Sequence, residues 1–144
     1  MFQRILLAWD GSNAARRALD VAVDLARRYE AEIVAASVAH SPAHAETEAD
    51  RLESVEAARR YLEESLKKVR DRADRVGVRL EHAIIEGDHP PDDLLAYAHD
   101  HAFDLVVAGH HHQSRAGRVV LHGFAERLAL AGTIPVLIIG EPGG

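Results

Sequence analysis

Four of the ten histidines in this 144-residue chain fall between Gly109 and Gly123, as the run His110-His111-His112 and as His122. Imidazole offers three chemistries there, and the spacing does not choose among them. Donating N–H groups, or protonated rings, would contact a phosphate in place of backbone amides. Three neutral rings, His110, His112 and His122, would ligate Zn²⁺ or another borderline metal, because an extended backbone puts His110 and His112 on one side. A solvated loop needs no ligand at all. Arg115 and Arg118 follow the run and would neutralise an anionic partner, although arginines in exposed loops are commonly just solvated.

Asp10 is the second chemical candidate. It ends an apolar run and precedes Gly11-Ser12, so its carboxylate either holds a ribose or base edge or caps the helix that follows. Gly11 reads as a turn residue. Asp92 and Asp93 form a carboxylate pair, but behind Pro91 in a first helical turn they complement the helix dipole, and no catalysis is assigned to them. No nucleophile, base and orienting residue can be assembled from spacing, and no second glycine loop or magnesium-binding carboxylate pattern supports phosphoryl transfer. The expectation is a binding module rather than an enzyme. A metal- or nucleotide-dependent hydrolase using the histidine loop is its rival, and a pH-responsive dimer that binds no nucleotide is a third reading, since free imidazole titrates near pH 6.5.

Composition narrows the field. A length of 144 residues suits one domain, and 47% hydrophobic with 28% charged residues fits an ordinary folded protein. A formal charge of −6 argues against nucleic acid, which needs a basic face. With no cysteine there is no thiolate site or disulfide. No stretch has the roughly 18 apolar residues of a membrane span, and the first ten residues lack a signal pattern, so the expected location is cytoplasmic.

These residues must be positioned by alternating strands and helices. Arg4 to Trp9 reads as a buried strand, and apolar residues from Ala15 to Tyr29 recur at helical spacing behind Ser12 or Asn13 as cap. A second strand covers 32–38, and the polar segment 39–50, with His40 and His44, reads as a solvated loop. A long amphipathic stripe runs from Leu52 to Val76 and stops at Gly77. The third strand is expected over 78–86 and the third helix over 92–101, with Pro91 at its first position. Strand four covers 105–108, a short helix 124–131 and strand five 135–139. Trp9 belongs to the core or a pocket wall. Alternation of this kind gives an α/β three-layer sandwich, a mostly parallel five-stranded sheet with helices on both faces, binding ligands where the chain reverses direction across the sheet. Periodicity does not say which strands flank that reversal.

Five segments in register bear a family resemblance: Ile5-Leu6-Leu7-Ala8-Trp9-Asp10-Gly11-Ser12, Arg17-Ala18-Leu19 with Ala22-Val23-Asp24-Leu25-Ala26, Glu86-Gly87-Asp88, Asp104-Leu105-Val106-Val107-Ala108-Gly109, and Ala125-Glu126-Arg127-Leu128 with Pro135-Val136-Leu137-Ile138-Ile139. Together they resemble the universal stress proteins over the whole chain, taken as one domain, 1–144. The resemblance implies a Rossmann-like sheet of order 3-2-1-4-5, a stress-response role, and a nucleotide site (ATP or AMP) built from Asp10, Val38, Ala108, Gly109, His111, His112, His122, Gly123, Phe124 and Ala125. ATP-binding members carry Gly, two residues, Gly, nine residues, Gly and then Ser or Thr, because glycine lets backbone N–H groups approach phosphates. Here Gly109 keeps the first glycine, whereas His112 and His122 replace the other two and Gly123 stands at the hydroxyl position, which weighs against ATP. No metal cofactor is implied. The resemblance also implies a homodimer paired through the strand Val136–Ile139, which would otherwise leave an apolar edge, and a protein partner that the sequence does not identify.

Overall fold

The computed structural model describes residues 1–39, 47–110 and 123–140. The elements are β1 (Arg4–Ala8), α1 (Asn13–Tyr29), β2 (Glu32–Ala39), α2 (Glu48–Arg75), β3 (Leu80–Glu86), α3 (Pro90–Asp100), β4 (Leu105–Gly109), α4 (Phe124–Ala131) and β5 (Val136–Ile139). The strands lie in the order β3-β2-β1-β4-β5 and every pairing is parallel. This is the α/β architecture and the strand order expected from the sequence. The reversal that periodicity left open falls between β1 and β4, which pair as Ile5↔Leu105, Leu6↔Val106 and Leu7↔Val107.

Parallel strands buried on both faces need side chains of either parity to be apolar, and β1 shows why. Ile5, Leu7 and Trp9 face α1 and α2 in one core; Leu6 and Ala8 face α3 and α4 in the other. Both helices on the first face use small or branched residues: Ala15, Ala18, Ala22 and Ala26 of α1, and Leu62, Leu66, Val69 and Ala73 of α2. Fully buried Leu6 is typical of this core, where truncation to Ala costs about 2–5 kcal/mol.

Several boundaries move for local reasons. α2 begins at Glu48, inside the segment read as loop, because the Thr47 hydroxyl accepts from the Asp50 amide at 3.0 Å and caps it. Ala39 belongs to β2; His40 and His44 lie outside the described residues. β3 starts two residues later than expected, since Val78 donates its amide to the Ala73 carbonyl and so belongs to the turn in which Gly77 adopts φ +79°. Pro90 rather than Pro91 opens α3: neither proline has an N–H to lose, and the Asp93 carboxylate accepts from the His89 amide at 2.9 Å. Both acids stand in the first turn, and that bond ties Asp93 to the helix start. The stripe of α2 is wider than its buried part, with Leu52 and Val76 exposed, and Tyr29 is exposed at the end of α1, its ring edge-on to Phe2.

Candidate functional site at the ends of β1 and β4

At the carboxyl end of β1 the chain is held by short-range bonds. The Trp9 amide donates to the Ala36 carbonyl at 2.9 Å, and its own carbonyl accepts from the hydroxyl of buried Ser37 at 2.6 Å. The indole Nε1–H donates to Ser65 Oγ of α2 at 2.7 Å, so Trp9 belongs to the core and ties the end of β1 to α2. Beyond it, Asp10 Oδ1 accepts from the Ser12 amide at 2.9 Å, Gly11 turns with φ +82°, and Ser12 Oγ accepts from the Ala15 amide at 3.1 Å. Ser12 is therefore the cap of α1, and Asp10 shapes the turn in front of it instead. The alternative helix-capping role for Asp10 passes to its neighbour. Tyr61 of α2 leans over this turn, its hydroxyl 2.9 Å from where a Cβ on Gly11 would stand.

The carboxyl end of β4 is held by contacts distant in sequence. A Cβ on Gly109 would overlap the Ala14 carbonyl, so glycine is required here by close approach to the first turn of α1. His110 continues the ladder, donating its amide to the Ile139 carbonyl at 2.9 Å. Its Nε2 lies 2.5 Å from Glu126 Oε1. Glu126 sits in the first turn of α4, whose cap is Gly123, with no side-chain bond from that cap. The second carboxylate oxygen lies over Gly123, where a Cβ would overlap it.

The structure gathers Asp10, Val38, Ala108, Gly109, Gly123, Phe124 and Ala125 at this one end of the sheet. Val38 lies two residues beyond the Ala8↔Ala36 pairing and is half-buried against the α3–α4 core. Ala108 and Ala125 are buried, whereas Phe124 is exposed. His111, His112 and His122 lie outside the described residues, as do Arg115 and Arg118. His110, one of the imidazoles weighed as a phosphate contact, a metal ligand or a solvated side chain, has its Nε2 beside Glu126 Oε1. Sequence reasoning missed Ser37, Ser65 and Glu126. An acid at the third helical position after Gly123 was a usable signal for the last; nothing marked the two serines, whose partners come from other elements.

A doubly wound parallel sheet whose β1 and β4 ends lie side by side, with a turn carboxylate on one lip and a helix start on the other, is the α/β arrangement in which ligands bind beyond the strand ends. Residues 1–140 match the model of the universal stress protein family, and the chain belongs to that family. A universal stress protein of Methanocaldococcus jannaschii, MJ0531, is 28% identical over 99% of this chain and 84% of its own length. A solved family member from Burkholderia pseudomallei is 28% identical, covers 96% of both chains and superposes with a TM-score of 0.78. A universal stress protein solved in complex with cAMP shares the fold at a TM-score of 0.74, with 23% identity and 98% of both chains covered. More distant chains of this fold are solved with dAMP, from Archaeoglobus fulgidus, and with AMP, from Arabidopsis thaliana. Among the described residues no helix is long and apolar enough to cross a membrane.

Proposed function

We propose that this chain is a stress-response binding module whose crevice between β1 and β4 takes an adenosine-type nucleotide, and that it signals by binding rather than by catalysis. The observation that carries the reading is the pairing of β1 with β4, which sets the Asp10-Gly11-Ser12 turn opposite Gly109 and the start of α4. A turn carboxylate suits ribose hydroxyls, and a helix start suits a phosphate. Relatives of the same fold solved with cAMP, dAMP and AMP support the ligand class. Calorimetric titration with AMP should show one site per chain, weakened roughly tenfold or more in Asp10→Ala by loss of a charge-assisted bond. Absence of binding by AMP, cAMP and ATP would sink the proposal; sustained hydrolysis of ATP would instead favour the hydrolase.

The same module acts as a cytoplasmic homodimer through β5. This strand is a sheet edge, its Leu137 side chain is exposed, and it carries no charge to deter pairing. Leu137→Lys should yield monomers by sedimentation, and an intact dimer in that variant would exclude this edge. Val136 is less suitable to test, because it packs against its own core.

A further inference from the structure

We propose that Glu126 makes the crevice selective for adenosine-type ligands of low phosphate charge, by fixing a carboxylate at the helix start to which an additional phosphate would be drawn. The inference rests on the nucleotide reading given above and names its specificity.

The first N–H groups of α4 have no partner within the helix and form its positive end, which attracts anions. Gly123 contributes no hydroxyl or carboxylate to them. Glu126 is the one acid in the first turn of α4; its Oε1 lies 2.5 Å from His110 Nε2, and its Oε2 occupies the space a Cβ on Gly123 would need. The pair ties the end of β4 to the start of α4. With side-chain exposures of 28% for His110 and 34% for Glu126, the charge is screened less than a surface charge would be. The helix start thus already has an anion of its own. A nucleotide with one phosphate can leave that carboxylate in place. A triphosphate brings further negative charge to the same mouth and meets repulsion from a carboxylate tethered to the fold.

The test is calorimetric titration of the full chain and of Glu126→Gln with adenosine, AMP and ATP. The substitution keeps the size and a hydrogen-bonding oxygen while removing the charge, and a urea denaturation curve confirms that the variant is folded. The wild type should bind AMP roughly tenfold more tightly than ATP, and Glu126→Gln should strengthen ATP binding by about tenfold while changing adenosine by less than about twofold. ATP binding as tightly as AMP to the wild type, or an equal change for adenosine and ATP in the variant, overturns the inference while leaving the crevice reading intact. Failure of all three ligands to bind either protein overturns the crevice reading, and the inference with it.

Discussion

The two lips of the crevice are built by different means. On the β1 side, Asp10 bonds to Ser12 and Ser12 to Ala15 within six residues of chain, while Trp9 with Ala36, Ser37 and Ser65, and Tyr61 over Gly11, bring in other elements. On the β4 side, Gly109 fits against the Ala14 carbonyl from 95 residues away in sequence, and His110 meets Glu126 across 16. A lip made of short-range bonds tolerates variation elsewhere in the molecule. A lip made of long-range contacts takes its shape from whichever side chains happen to meet there, and is where ligand preference can diverge within one fold.

Three substitutions probe that contrast, in decreasing order of effect on stability. Gly109→Val should be the most damaging, about 3 kcal/mol or more, because the overlap is with backbone that cannot swing aside; a shift in the urea midpoint measures it. A near-neutral result would mean the two lips are less tightly fitted than described. Ser37→Ala should cost about 1–2 kcal/mol by leaving the Trp9 carbonyl without its 2.6 Å partner in a buried setting. Ser12→Ala should cost about 1 kcal/mol, the ordinary value of a helix cap, and Ser12→Asp should recover most of it. If Ser12→Ala proved costlier than Gly109→Val, the short-range lip would be the more critical one and the contrast would be reversed.

The same contrast explains what could be read from the sequence. The β1 lip was legible, since an apolar run, Asp-Gly-Ser and a helical stripe are all local signals. So were the strand order and the family, because five segments occur in register. The α2 start was misread because the polar residues around Thr47 resemble a loop until the Asp50 amide is seen to be capped. Exchange of Pro91 for Pro90 has a similar cause: both prolines satisfy the rule, and the His89–Asp93 bond decides. At the β4 lip the sequence showed histidines and missing glycines but not the pairing of His110 with Glu126, which exists only once α4 has docked on the sheet. Ser65 was silent for the same reason, one polar position on a helix rich in them.

The sole tryptophan of the chain directly precedes Asp10 at the end of β1, buried to 6% exposure with its indole N–H on Ser65. Ultraviolet emission excited at the red edge therefore comes from one point, free of overlapping signals from a second indole. Light emitted by this protein reports the surroundings of the indole where the end of β1 meets α2, readable without any attached dye.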